Sequence, residues 1–136
     1  MTGRDHINTT IIGAGAAGLA CAVCLKKSGI PHLVLEESDG IGHVWRKRYD
    51  RLHLHTTKSN SCLPYSEMPK HYPKYVSKDE FAEHLAEYAE TFRIQPRFNE
   101  RVLRASRTEQ GWNVATENGT IAATNLIVAT GLAATP

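Results

Sequence analysis

The chain has 136 residues, 41% of them hydrophobic and 22% charged, with a formal net charge of +2. That length fits one domain with a single core, and so small a net charge argues against nucleic acid or an anionic membrane surface as a partner. Three cysteines do not make a disulfide framework, and no apolar run reaches membrane-spanning length.

Residues 1–10, MTGRDHINTT, are polar and lack the apolar stretch of a signal peptide, so a soluble, cytoplasmic protein is expected. Residues 7–12 then read as a strand rich in β-branched side chains. Gly13-Ala14-Gly15-Ala16-Ala17-Gly18 follows directly, and residues 16–28 read as a helix that ends near Gly29. Leu33-Val34-Leu35 is a short, continuous apolar run suited to a buried parallel strand. Together these make one βαβ unit of about 30 residues. Cys21 and Cys24 have CxxC spacing but fall inside the helix, whereas a redox pair needs a helix N-terminus to lower its thiol pKa. Two small, partly buried helix residues are expected there, and no further ligands complete a zinc site.

Periodicity fades over residues 38–77, where Pro64, Pro69 and Pro73 argue against regular structure. Trp45, Tyr49, Leu52, Leu54 and Tyr65 favour an ordered, functional segment. His53 and His55 alternate with Leu52 and Leu54, so an extended backbone puts both imidazoles on one side. With no third ligand placed near them a metal is not expected; a solvent-facing pair is. Tyr65, Tyr72 and Tyr75 read as cover for a sheet edge. Ser77 and Glu80 then form a capping box, and Phe81, Leu85, Tyr88, Ala89 and Phe92 give the following helix one apolar face, with Pro96 ending the segment. Val102-Leu103, residues 112–116 and residues 120–122 read as short antiparallel strands, with turns at Gly111 and Asn118-Gly119. Residues 125–129 read as a separate buried strand running into Thr130-Gly131. The fold class expected is α/β: a Rossmann-like dinucleotide-binding domain over residues 1–136, with a central parallel sheet and a small antiparallel β-meander.

The chemistry lies in the glycine loop. In GxGxxG between a strand and a helix, Gly13 permits the tight turn, Gly15 lets a pyrophosphate approach the backbone, and Gly18 allows helix and strand to pack closely. The free N–H groups of the first helical turn bind the phosphates; the helix dipole adds only about 0.3–1 kcal/mol per charge. Glu36, at the end of the second strand and 18 residues after Gly18, suits acceptance of ribose hydroxyls. Its charge opposes a 2′-phosphate, so the site should take the adenosine end of FAD or NAD, not NADP. The fingerprint does not separate those two.

Beyond the fingerprint come Gly42-His43-Val44-Trp45, then residues 49–58 (YDRLHLHTTK), Cys62-Leu63-Pro64, Tyr72-Pro73-Lys74-Tyr75, and residues 125–131 (NLIVATG). This succession resembles the N-terminal part of the class B flavin-containing monooxygenases, most of all the YUCCA-type indole-3-pyruvate monooxygenases, over nearly the whole chain. The resemblance implies that Gly13, Ala14, Gly15, Ala16, Ala17, Gly18 and Glu36 hold the pyrophosphate and adenosine ribose of FAD. It places Val44 and Trp45 along the flavin, His55 and Thr56 beside its ring, the Val102 backbone near the adenine, and Ala129-Thr130-Gly131 at the crossing toward an NADPH lobe. His55 is the one catalytic candidate, as a hydrogen-bonding partner of the ring. The activity implied is NADPH- and oxygen-dependent oxygenation of a small molecule, either a 2-oxo acid or a nucleophilic nitrogen or sulfur compound. Two departures stand out. His43 replaces the family's second glycine in Gly-Gly-x-Trp, and the second GxGxxG that binds NADPH, with its FxGxxxHxxx(Y/F) signature, is absent from these residues. The expected partner is therefore a small-molecule substrate together with a C-terminal lobe or a second copy of the chain. A non-catalytic FAD-binding module and an NAD(P)-dependent dehydrogenase or reductase are the alternative readings.

Overall fold

The computed structural model describes residues 6–131; the opening five residues of the polar N-terminal stretch read above lie outside them. β1 (His6–Ile12) leads through the glycine loop into α1 (Ala16–Lys27), and β2 (His32–Leu35) completes the βαβ unit. α1 stops as the sequence predicts: Gly29 takes φ +70°, and its N–H and that of Ile30 bond back to the Lys26 and Leu25 carbonyls at 3.1 and 2.9 Å. This is the paired closure that a left-handed glycine allows. A short helix, α2 (His43–Arg46), and a single 3₁₀ turn (Lys58–Asn60) interrupt the long irregular segment. α3 (Lys78–Thr91) and three strands follow: β3 (Val102–Thr108), β4 (Gly111–Thr116) and β5 (Gly119–Val128).

All five strands form one sheet in the order β2-β1-β5-β4-β3. β1 pairs in parallel with both β2 and β5, while β4 is antiparallel to β5 and to β3. Parallel core and meander are thus one sheet. The sequence reading splits residues 120–129 into two strands; the structure joins them, because β5 pairs with β4 over residues 119–123 and with β1 over residues 122–128, with Ala122 and Ala123 flanked on both sides. A strand that changes partner midway has no single alternation of burial to read. The main chain also adds an edge next to β2, where Arg97 bridges Leu35 in parallel.

Two cores flank the sheet. Val34 packs with α1 and α3, through Leu19, Ala22, Val23, Phe81, Leu85 and Tyr88. Leu33 and Leu35, on the opposite face, pack with Val114, Ile121 and Leu126. α3 carries the predicted capping box in full: the Ser77 hydroxyl accepts from the Glu80 N–H at 3.2 Å, and the Glu80 carboxylate accepts from the Ser77 N–H at 3.0 Å. α3 ends at Thr91, before Pro96, because Arg93 turns left-handed with φ +56° and the Ile94 N–H bonds the Ala89 carbonyl. The ammonium of Lys26 caps the same end, donating to the Phe92 and Arg93 carbonyls at 2.8 and 3.0 Å.

The irregular segment is ordered by α3. The Tyr88 hydroxyl donates to the Pro64 carbonyl at 2.9 Å, and the Tyr72 hydroxyl to the Glu80 carbonyl at 3.1 Å. Tyr72 is buried on α3 while Tyr65 and Tyr75 stay exposed, so the three tyrosines do not cover a sheet edge. Burial raises both buried phenols, Tyr88 to about 12. Between Tyr72 and Tyr88 lies His84, buried, with its Nε2 unpartnered. Burial lowers its pKa, partly offset by Glu87. The unfolded chain therefore takes up this proton first as the pH falls. The stability that neutral His84 contributes is present in full above about pH 6.5, the ordinary histidine value. It is lost as the pH falls from there through the lower folded value. Urea unfolding between pH 7.5 and 5 should show that loss, and His84→Gln should flatten it; an equally steep profile in the variant would assign the dependence to other groups.

Candidate dinucleotide site

The register of the parallel strands builds the site. Ile12 pairs with Leu35 on one side and Val128 on the other, so Gly13, Glu36 and Ala129 emerge side by side at the carboxyl ends of three adjacent strands. Ligands of open α/β sheets bind outside that edge. The main chain locks the row: the Gly13 N–H donates to the Leu35 carbonyl and the Ala129 N–H to the Ile12 carbonyl, both at 2.8 Å.

Each glycine of the loop meets a different constraint. Gly13 has φ +109°, and a Cβ there would come within 2.3 Å of the Ala129 carbonyl oxygen. A Cβ at Gly18 would lie 1.9 Å from the Gly13 oxygen. Gly15 differs: its φ is −82°, and a Cβ would meet nothing within 4 Å. Gly15 caps α1 without a side-chain hydrogen bond, and no acidic residue occupies the first turn. The opening of the helix therefore keeps both its unsatisfied N–H donors and room for an anion against the backbone. That combination fits a pyrophosphate.

Glu36 directly follows the end of β2, and its carboxylate is engaged by the main chain. One carboxylate oxygen accepts from the Ala14 N–H and the other from the Ser38 N–H, each at 2.9 Å. The side chain thus clasps the glycine loop to the end of β2, and each oxygen keeps a lone pair for a ligand hydroxyl. Val102, half-buried, opens β3 two residues after Glu100, whose N–H donates to the Glu36 carbonyl at 3.0 Å. The loop, Glu36, Ala129-Thr130 and the start of β3 thus come together at one edge. Gly131 follows, exposed, with φ +81°.

Within residues 43–56, Trp45 and Leu54 pack against the core cluster that includes Ala14 and is flanked by Ala129. Trp45 packs edge-on against Phe81, ring centroids 4.9 Å apart. Val44 is 57% exposed, and His55 and Thr56 are exposed. Leu54 donates its N–H to the Val76 carbonyl and His53 bridges Ser77; the chain then bends at His55 and Thr56, and His53 and His55 are both exposed. His43 opens α2 and its Nε2 lies 2.7 Å from Asp39 Oδ1.

Gly42 and Glu100 escape sequence reasoning. Gly42 is buried with φ +88°, and a Cβ would press on Ala82 of α3 at 2.9 Å; the glycine itself, before His43-Val44-Trp45, is the available signal. Glu100 has a buried carboxylate oxygen with no partner, and nothing local marks it. Cys21 is half-buried and Cys24 exposed, both unpaired and more than one turn from the start of α1 at Ala16. Among the described residues no helix is long and apolar enough to cross a membrane.

The chain is 48% identical over 130 residues to the probable indole-3-pyruvate monooxygenase YUCCA1 of Arabidopsis thaliana, covering 93% of this chain and 31% of that protein. The flavin-containing monooxygenase from Stenotrophomonas maltophilia superposes with a TM-score of 0.84 at 28% identity, over 97% of this chain and 41% of that one. An oxidized steroid monooxygenase bound to NADP superposes with a TM-score of 0.81 at 29% identity, over 93% of this chain and 26% of that one. The chain spans about 31% of the length of the curated relatives it matches. A family model described as pyridine nucleotide-disulphide oxidoreductase matches residues 10–136. That match runs from within β1 to the last residue, and the chain belongs to the pyridine nucleotide-disulphide oxidoreductase family.

Proposed function

We propose that this chain is the FAD-binding portion of a flavin-dependent monooxygenase that uses NADPH and oxygen to oxygenate a small organic molecule. The observation that carries the reading is the uncapped start of α1 at Gly15, open to an anion, beside the Glu36 carboxylate. That arrangement suits a dinucleotide with an unphosphorylated adenosine ribose. Likeness to named flavin monooxygenases supports FAD over NAD, and the NADP-bound steroid monooxygenase supports NADPH as the reductant of the intact protein. Likeness to indole-3-pyruvate monooxygenases supports a 2-oxo acid as substrate.

In this reading residues 13–18 hold the pyrophosphate, Glu36 the ribose and the Val102 backbone the adenine. Val44, Trp45, His55 and Thr56 lie along the flavin, and Ala129, Thr130 and Gly131 lead toward the nicotinamide-binding part. Bound FAD would supply the transfer of reducing equivalents from NADPH to oxygen, which no side chain here can perform. The chain's own residues bind, orient and shield it; exposed His55 is free to donate a hydrogen bond beside the ring. A dithiol mechanism finds no support, because Cys21 and Cys24 lie away from the helix start that would activate them.

Purified chain titrated with FAD, NAD and NADP should bind FAD the most tightly. NADP binding as tight as FAD would sink the role of Glu36. Glu36→Ala should weaken FAD binding more than tenfold, since hydrogen bonds to a charged acceptor contribute about 1.5–3 kcal/mol each. It should also lower stability by about 1–3 kcal/mol, because the buried Ala14 N–H loses its acceptor. The clasp thus makes this variant a mixed test of fold and ligand. NADPH-dependent oxygen uptake by the FAD-loaded chain would extend the reading to full turnover; binding without uptake would assign the chain the binding step alone.

A further inference from the structure

We propose that Glu100 is a second carboxylate of the adenosine site, accepting a hydrogen bond from a ribose hydroxyl or the adenine amino group. The inference rests on the dinucleotide reading above. The main chain fixes Glu100 beside Glu36: the Glu36 N–H donates to the Arg97 carbonyl, and the Glu36 carbonyl accepts from the Glu100 N–H, both at 3.0 Å. The reversal between them is held on two sides. Asn99 sits at φ +55°, its N–H donates to the Ser38 carbonyl at 2.9 Å, and its own carbonyl accepts from the Asn118 side chain at 3.2 Å.

Within this fixed frame one carboxylate oxygen of Glu100 is enclosed and has no partner. An enclosed acceptor left unmatched is costly, and among the described residues no salt bridge compensates it. Glu36, by contrast, already uses each oxygen once, on Ala14 and Ser38. Adenosine brings the two ribose hydroxyls and the amino group, more donors than the remaining capacity of Glu36 serves comfortably. Glu100, next along the same edge and two residues before Val102, is the unmatched acceptor at the place where the extra donor arrives.

The test is isothermal titration of the chain with FAD, ADP, 2′-deoxy-ADP and inosine diphosphate, alongside thermal melting followed by circular dichroism. Glu100→Gln keeps the shape but removes the charge that about doubles such a bond. It should weaken FAD and ADP binding roughly five- to tenfold without lowering the melting temperature. The wild-type preference for ADP over the analogue lacking the contacted donor, deoxy or inosine, should shrink by the same factor in the variant. A structural role predicts the opposite pattern: lower melting and unchanged affinity. Wild-type binding with Glu100→Gln unchanged overturns this inference alone. Wild type that binds neither FAD nor ADP overturns the reading of the site and the inference with it. Should Glu100→Gln fail to fold, Glu100→Asp, which keeps the charge on a shorter side chain, should lose the same discrimination, and retention of it would overturn the proposal.

Discussion

Gly15→Ser is expected to leave the fold as stable as the wild type, or more stable by a few tenths of a kcal/mol, while weakening FAD binding about a hundredfold. The two halves of this expectation have separate causes. Gly15 occupies the N-cap of α1 with φ −82° and ψ −167°, the extended conformation that capping serines adopt. A Cβ there meets no atom within 4 Å, so the new side chain causes no clash. Its hydroxyl can take an N–H of the first turn, a bond that no side chain makes in the wild type. The same hydroxyl and Cβ occupy the space a phosphate needs to reach those donors. Losing two hydrogen bonds to a charged group, at about 1.5–3 kcal/mol each, corresponds to a hundredfold or more in affinity. Urea unfolding and FAD titration on the one variant separate the effects. A variant that binds FAD like the wild type would remove the loop from the phosphate site; one that is strongly destabilised would contradict the open space above Gly15.

The sequence shows those parts of the fold whose causes are local. Glycine spacing, the stop at Gly29, the capping box of Ser77 and Glu80, and the apolar face of α3 all depend on residues within a few positions of one another, and each is present as read. The Glu36 carboxylate was also legible, because strand, loop, helix and strand set its distance from the glycines. Long-range contacts account for what was not legible. β5 reads as two strands because its two ends answer to different neighbours. The burial of Gly42 depends on Ala82, forty residues on. His84 shares the face of α3 with Phe81 and Tyr88 by its spacing, but the loop carrying Tyr72, which packs beside it, comes from outside the helix. The position of Glu100 depends on residues 97–100 running along the edge of β2, a pairing for which Pro96 and Arg97 give no signal.

Gly13→Ala should act in the opposite sense to Gly15→Ser, removing stability first and binding only as a consequence. Gly13 has φ +109°, a conformation that costs a residue with a Cβ roughly 1–2 kcal/mol. That Cβ would stand 2.3 Å from the Ala129 oxygen and 2.9 Å from its carbonyl carbon. Ala129 cannot retreat freely, because its N–H is bonded to the Ile12 carbonyl at 2.8 Å. Gly13 cannot shift toward the helix either, since its own carbonyl already fills the space where Gly18 would carry a Cβ. Forcing a methyl group into such packing costs about 1–3 kcal/mol, and giving up the Ala129 bond costs about 0.5–1.5 kcal/mol. The sum, roughly 2.5–6.5 kcal/mol, is a large share of the 5–15 kcal/mol typical of a whole domain. The urea midpoint should fall steeply with its slope unchanged. In whatever fraction stays folded, Gly15 and the first turn of α1 remain as they were, so FAD should still bind and should raise the midpoint again in proportion to its concentration. A variant with wild-type stability would show that the 129–130 crossing yields, and that the row formed by Gly13, Glu36 and Ala129 is not locked. A stable variant that does not bind FAD would make Gly13, and not the start of α1 at Gly15, the decisive position of the loop for the phosphate.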